Sequence, residues 1–336
     1  MRDALTTGRL PRIFVSLLAA CLAWFGPADL VHAQQTKTPR HVGVLFVLLA
    51  PDGKEAQAFQ EGLREAGYTE GRDAVIEWRS ANGDYARLPE LAAELVNTKV
   101  DVIVADTTFA AQSVKHATST IPIVMTLVAD PVGSGLVTNL AQLGGNVTGL
   151  SIMLAELSAK RLQLLKESIP KLHRVVVVWN RATPYQARAV DNLKAVAPSL
   201  AIELSFVEVR TAEQFDAAFS AISRAHAQAL YVLDAPLFFA HRATLLKQAA
   251  KARLPVMSGE KPFADAGALM TYGANYADQM RRSAEYVDKI LKGAKPAELP
   301  IEQPTKFDFV INLRTAKALG IAVPESVVFR ADEVIR

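Results

Sequence analysis

The sequence predicts an α/β fold of two Rossmann-like lobes, each a parallel sheet flanked by helices, joined by a multi-strand hinge. Three observations carry this. Short apolar runs alternate with segments of helical periodicity from His41 onward, several runs are apolar at nearly every position, and the alternation breaks once, at GGNVTGLS (144–151), before a fresh series begins near Leu154. A strand that is apolar on both faces needs cover on both faces, the situation of a parallel strand between helices. Repeated strand-then-helix units joined by right-handed crossovers build such a sheet.

The N-terminal segment stands outside this pattern. MRDALTTGRLPRIFVSLLAACLAWFGPADLVHAQQ places Arg2, Arg9 and Arg12 ahead of an apolar stretch from Ile13 to Phe25, and Val31-His32-Ala33 ahead of Gln34. That is the pattern of an export signal, residues 1–33, cleaved after Ala33. Its apolar core is shorter than the ~20 residues of a comfortable membrane span. Leu18-Ala19-Ala20-Cys21 also resembles a lipoprotein cleavage box, but the apolar LAWFGPADLV behind Cys21 stands where a polar tether is expected. Simple export to the periplasm is the favoured expectation.

Four strands are predicted next: VGVLFVLL (42–49), AVIEW (74–78), VDVIVA (100–105) and IPIVMT (121–126). Between them Phe59, Leu63 and Ala66 share one helix face, which Gly67 ends, and Leu88, Leu91, Ala92 and Leu95 repeat the stripe. A helix over about 132–143 is expected after the fourth strand. The second series contains RVVVVW (174–179), AIELSFVEV (201–209), ALYVLD (229–234), LPVM (254–257) and ALMTY (268–272). Further crossings are expected near Tyr272-Gly273 and from Lys295-Pro296 to Pro304. The expected N-terminal lobe is therefore 41–149 with 274–300, and the C-terminal lobe 150–273 with 301–336. Two lobes on several connecting segments make a hinge and a cleft that a ligand can close.

The chain has 336 residues, enough for two cores, and 37 Lys/Arg against 34 Asp/Glu. Three of these basic residues and two of the acidic ones lie in 1–33, so the mature chain sits near +2. This balance makes no electrostatic case for nucleic acid or an anionic membrane surface. Cys21 is the only cysteine, so the mature chain has neither a disulfide nor a thiolate for catalysis or metal.

Catalytic and cofactor motifs fail in turn. Ala50-Pro51-Asp52-Gly53-Lys54-Glu55, after the first strand, has neither dinucleotide glycine spacing nor a phosphate-loop ending. Gly133-Ser134-Gly135 lacks the spacing of a nucleophile elbow, and the six histidines include no pair at helical ligand spacing. A non-enzyme with no cofactor and no metal is the expectation.

What the sequence does hold is polar residues just past predicted strand ends, where open α/β sheets bind ligands. These are Asp106, Thr107 and Thr108, then Asp130, Asn180, Asp234 and Tyr272. Asp130-Pro131, Thr183-Pro184 and Asp234-Ala235-Pro236 read equally as helix starts, with a side-chain oxygen capping backbone N–H groups. Thr107 and Thr108 open a helix whose free N–H groups and hydroxyls suit a carboxylate. Asp106 beside them repels a carboxylate or attracts an amine, and both readings stay open. The aromatics Phe46, Phe109, Trp179, Tyr185, Phe238, Phe239 and Tyr272 lie at the same edges; several at one cleft favour an apolar or aromatic ligand.

Several stretches carry a family resemblance: FQEGLREAGYTEG (59–71), IEWR (76–79), LPELAAELV (88–96), ADPVGSGLV (129–137), GGNVTGLS (144–151), YVDKILKG (286–293), LPIEQPTKFDFVIN (299–312) and RADEVI (330–335). In these the chain resembles the solute-binding proteins of ABC transporters with the type I periplasmic-binding fold, in the group of tryptophan-binding and related amino-acid-binding members. The resemblance implies a monomeric periplasmic receptor that closes on an amino acid or similar small carboxylate and hands it to a membrane permease driven by a separate ATPase. It places the ligand-contacting strand-edge pattern on Thr107, Thr108, Asp130, Asn180, Asp234 and Tyr272. Phe46, in an unusually apolar first-strand end, adds a lean towards a bulky ligand. Within this reading Thr107 and Thr108 take the carboxylate, Asp130 or Asp234 the amine, and Asn180 and Tyr272 close the far side. A sensory co-receptor for a membrane kinase or chemoreceptor uses the same hinge and stands as the alternative. An exported enzyme and a transcription factor are the weaker rivals.

Overall fold

A computed structural model describes residues 38–141 and 145–336. The expected export signal and Cys21 lie outside the described residues. The segment Pro39–Arg336 forms a single compact unit built on two sheets.

The first sheet has five strands, β1 (Arg40–Phe46), β2 (Ala74–Ser80), β3 (Val102–Ala105), β4 (Ile123–Val128) and β5 (Val147–Ser151), in the order β2-β1-β3-β4-β5. Every pairing is parallel. Helices α1 (Lys54–Glu65), α2 (Leu88–Asn97) and α3 (Thr108–Ala117) link the first four strands. Strand parity divides the core. Val42, Val44 and Phe46 join Phe59, Val102 and Val104 on one face, while Leu45 joins Leu91, Leu95, Ile103 and Val114 on the other. Burial on both faces is why the central strands β1, β3 and β4 are almost wholly apolar along their buried lengths.

The second sheet follows α4 (Leu154–Ser168). Its strands are β6 (Arg174–Trp179), β7 (Glu203–Glu208), β8 (Ala229–Val232), β9 (Val256–Ser258), β10 (Met270–Ala274), β11 (Phe307–Asn312) and β12 (Glu333–Ile335). The order is β12-β11-β10-β9-β8-β6-β7, parallel except between β10 and β11. The linking helices are α5 (Gln186–Val196), α6 (Phe215–Arg224), α7 (Pro236–Ala240), α8 (Arg242–Lys251), α9 (Lys261–Asp265), α10 (Tyr276–Leu291), α11 (Leu313–Leu319) and α12 (Glu325–Val328).

Helix α10 leaves the second sheet but packs on the first, where Met280, Ala284, Val287 and Ile290 join the cluster around Phe46 and Phe59. It crosses α1 at Gly62. A Cβ there would come within 2.5 Å of the Arg281 carbonyl oxygen and 2.8 Å of the Ala284 Cβ, so only glycine allows this approach. The chain returns alongside β5, where the Ser151 N–H donates to the Glu302 carbonyl at 2.9 Å.

Two expectations are corrected. GGNVTGLS is more than a junction: Val147–Ser151 is β5, paired to the edge of β4, because Val147 and Leu150 find apolar neighbours there. The helix expected over 132–143 is absent from its described part, and residues 131–135 form turns. Gly135 has φ +71, and the Pro131 carbonyl accepts from both Leu136 and Val137, which closes the turn before a helix can propagate.

Candidate functional site

Both sheets reverse their strand order once, between β1 and β3 in the first and between β6 and β8 in the second. Loops leaving the carboxyl ends of strands diverge at such points and leave a crevice. A cavity of about 200 Å³ lies there, lined from both sheets. The first contributes Leu48 and Leu49 after β1, Asp106 to Phe109 after β3, and Leu127, Ala129 and Asp130 at the end of β4. The second contributes Thr183 to Tyr185 after β6, Asp234 to Pro236 after β8, Gly259 to Pro262 after β9, and Ala274 to Ala277 after β10.

Four of the expected ligand contacts line the cavity: Thr107, Thr108, Asp130 and Asp234. Thr107 is the N-cap of α3, its hydroxyl accepting from the Ala110 N–H at 3.2 Å. Thr108 is buried in the first turn. Asp130 caps a turn in place of a helix: its Oδ1 accepts from the Gly133 N–H at 2.9 Å. Its Oδ2 stands 3.6 Å from Arg188 of α5, on the second sheet's side, and Arg188 in turn meets Glu156 at 2.6 Å.

Asp234 does not cap α7, whose N-cap is Ala235. Its Oδ1 accepts from the Ser258 hydroxyl at 3.0 Å and the Gly259 N–H at 2.8 Å. Its Oδ2 lies 2.9 Å from Arg161 Nη1 with both side chains buried, a charge contact in which neither terminal guanidinium nitrogen is aligned for a hydrogen bond. Arg161 donates through Nε to the Tyr272 carbonyl at 2.6 Å. Gly259 is required above this pair, since a Cβ there would fall 2.1 Å from both Arg161 Nη2 and Asp234 Oδ2.

Phe46, Asn180 and Tyr272 do not line the cavity. Strand parity turns Phe46 into the core, 5.3 Å from the Trp78 ring. Asn180 is consumed by its own turn, its side chain accepting from the Ala182 N–H and its N–H donating to Gln186. Tyr272 stacks on Phe307 at 5.6 Å and presents only its backbone to Arg161.

The sequence reading missed Tyr85, Arg161, Glu260 and Tyr276. Tyr85 packs edge-on to Phe109 at 5.2 Å and forms an aromatic wall on the first sheet's side. Phe239 lies opposite on the second, under the Arg242 guanidinium at 4.5 Å. Glu260 lies two residues past the end of β9; its Oε1 accepts from the Tyr276 hydroxyl at 3.2 Å, and its Oε2 is buried without a hydrogen-bond partner. Arg161 carries a signal that sequence alone offers, a charge on the apolar stripe of Leu154, Leu162 and Leu165. Glu260 is hidden because the apolar run LPVM ends at Met257, whereas β9 extends to Ser258.

Burial sets the electrostatics. Asp106 accepts from the Val47 N–H through both carboxylate oxygens, at 3.1 and 3.0 Å, yet desolvation pushes its carboxyl up to about 7. Glu260 is likewise held well above the carboxylate range, first by burial and then by the neighbouring charge of Asp234. The lining carries six carboxylates, Glu55, Asp106, Asp130, Asp234, Glu260 and Asp308, against two lysines. Lys54 is exposed beside Glu55, and Lys261 is engaged by Asp265 and Glu333. The cavity is thus apolar and aromatic on its walls and electronegative at its polar points. Among the described residues no cluster of His, Cys, Asp and Glu is arranged to hold a metal ion, and no helix is long and apolar enough to cross a membrane.

Comparison with known proteins agrees with this architecture. The chain is 29% identical over 310 residues to a tyrosine-binding protein of Clostridioides difficile, covering 91% of this chain and 89% of that one. A conserved domain protein of Vibrio cholerae is 31% identical, covers 88% of this chain and 99% of its own, and superposes with a TM-score of 0.80. The ABC domain of Streptococcus pneumonia in complex with L-Trp is 25% identical, covers 89% and 100% respectively, and superposes at 0.82. The model of the ABC transporter substrate binding protein family matches residues 42–335. With that match across nearly all of the two-sheet body, the chain belongs to the ABC transporter substrate-binding protein family.

Proposed function

We propose that this chain is the periplasmic receptor of an ABC importer and that its ligand is an amino acid with an aromatic side chain, bound in the cavity between the sheets. The observation that carries this reading is the pairing of aromatic walls from both sides, Tyr85 with Phe109 and Phe239 opposite, with the hydroxyl-bearing N-terminus of α3. The N–H groups and hydroxyls of Thr107 and Thr108 receive the ligand carboxylate, helped by the helix dipole. The names of the tyrosine-binding relative and of the L-Trp complex support the ligand class.

In this reading the sheets are the two lobes, 41–149 with 274–300 and 150–273 with 301–336. A ligand touching both favours the closed arrangement, which the permease then recognises. The receptor acts as a monomer and performs no chemistry on its cargo.

A thermal-shift panel of amino acids and aromatic acids tests the proposal. Ligand at ~100 times its Kd stabilises by ~2.7 kcal/mol. Aromatic amino acids are expected to raise the midpoint, and a panel in which none does so overturns the ligand class. Thr107→Ala with Thr108→Ala is expected to weaken the ligand found at least tenfold; unchanged affinity removes the carboxylate site from α3.

A further inference from the structure

The cavity's acidic points are not equivalent. Asp234 accepts from Ser258 and Gly259 through Oδ1 and has the buried Arg161 charge 2.9 Å from Oδ2; Asp106 is spanned by the Val47 N–H; Asp130 is held by Gly133 and Arg188; Asp308 accepts from the Asn275 side chain at 2.9 Å. Glu55 faces Lys54 at 3.7 Å at the mouth. Glu260 differs in having neither a hydrogen bond nor an ion pair at its second oxygen. It lines the cavity with one oxygen fixed by Tyr276 and the other buried and unpartnered. A buried oxygen without a partner costs free energy in the empty protein, and a donor arriving with the ligand recovers it.

The charges around Glu260 select that donor. Arg161 sits in ion-pair contact with Asp234 and donates through Nε to the Tyr272 carbonyl, and Arg242 lies over Phe239 while donating to its carbonyl at 2.7 Å. Lys261, next in sequence, pairs away from the cavity with Asp265 and Glu333. Among the described residues the two cations that line the cavity, Lys54 and Lys261, pair with other carboxylates, and the fields of Arg161 and Arg242 act on Glu260 less than burial and the charge of Asp234 do.

Resting on the reading that this cavity is the ligand site, we propose that Glu260 Oε2 accepts the ligand's ammonium group, so that the receptor selects primary amines over the same skeleton without nitrogen. Tyr276, through its hydroxyl, holds the carboxylate in the accepting orientation. The ammonium takes a different place from those expected of it, Asp130 and Asp234, because an arginine already stands beside each of them, Arg188 and Arg161.

The test is calorimetric titration of the intact protein with three probes of one skeleton, tyrosine, tyramine and hydroxyphenylpropionate, against wild type and Glu260→Gln. Wild type is expected to bind tyrosine at least about tenfold tighter than hydroxyphenylpropionate, and Glu260→Gln to erase most of that ratio, the size expected of one charge-assisted hydrogen bond. Equal losses for tyrosine and hydroxyphenylpropionate in Glu260→Gln, or no loss for either, overturn the assignment. Tyramine binding that depends on Glu260 in a protein indifferent to tyrosine supports the ammonium site while sinking the amino-acid reading. Binding of hydroxyphenylpropionate alone sinks the ammonium site and keeps a carboxylate receptor; binding of none of the three overturns both. If Glu260→Gln fails to fold, the wild-type ratio of tyrosine to hydroxyphenylpropionate decides, and a ratio near one is the negative result.

Discussion

Arg161 of α4 and Asp234, just after β8, meet at 2.9 Å with side-chain exposures of 0% and 2%, packed against Gly259 at the cavity wall. The pair ties four segments together: α4, the loops after β8 and β9, and β10 through the Tyr272 carbonyl. Removing one member strands a buried charge, which typically costs ~3–5 kcal/mol. Arg161→Met is therefore expected to lower unfolding free energy by that order in urea denaturation. Arg161→Met with Asp234→Asn is expected to lose less than Arg161→Met alone; a single variant within ~1 kcal/mol of wild type would show the pair to be unimportant.

Gly259 has no room for a side chain. With a Cβ placed 2.1 Å from both charged partners, Gly259→Ala must displace one of them, at a cost of ~1–3 kcal/mol of overpacking. Because Glu260 is the next residue, the same shift should weaken ligand binding. Thermal midpoint and titration calorimetry on one preparation check both effects, and a variant that retains wild-type values in each refutes the close packing.

Asp130 and Arg188 bridge the two sheets at the cavity's edge, and Arg188 is 55% exposed. An exposed pair adds only ~0–1 kcal/mol to stability, and the 3.6 Å separation argues for the low end. Arg188→Ala is thus expected to unfold close to wild type. Its effect should appear in the closed population instead, as a larger radius of gyration by small-angle scattering and faster ligand release. Scattering curves and release rates that match wild type would assign Arg188 to Glu156 alone.

Asp106 predicts a pH dependence of definite sign. Its carboxyl rises from the ordinary 3.8 to about 7 on folding, so between those values the folded chain holds more proton than the unfolded one. The associated stability is fully present below about pH 3.8 and is lost as pH rises through about 7. Glu260 shifts in the same direction, driven by burial and then by Asp234. Stability of wild type minus that of Asp106→Asn should fall as pH rises from about 5 to about 8, cancelling groups common to both. A flat or rising difference contradicts the buried carboxylate.

Strand ends explain both what was legible and what was hidden. Thr107, Thr108, Asp130 and Asp234 were found because chain order alone puts the residue after an apolar run at the carboxyl end of a strand, where the crevice lies. The same rule sent Phe46, Asn180 and Tyr272 to the crevice, and their side chains go elsewhere. Adjacent residues at a strand end point to opposite faces, and the boundary must be known to the residue before the face is known. GGNVTGLS failed for another reason, since an edge strand of five residues has too few positions to show a period.

The α/β class, the alternation that makes parallel sheets, the lack of a cysteine after Cys21 and the family to which the chain belongs are all legible in the order of the residues. These are properties of composition, local period and motif, which do not depend on what lies across the fold. Which carboxylates stand beside a cation emerges only in the folded chain. Asp234 and Glu260 look alike along the chain, but Arg161 arrives from α4 to neutralise one and Tyr276 from α10 to anchor the other. Long-range pairing of this kind is set by packing of both sheets at once, so the free oxygen of Glu260 becomes visible only when every neighbour is in place.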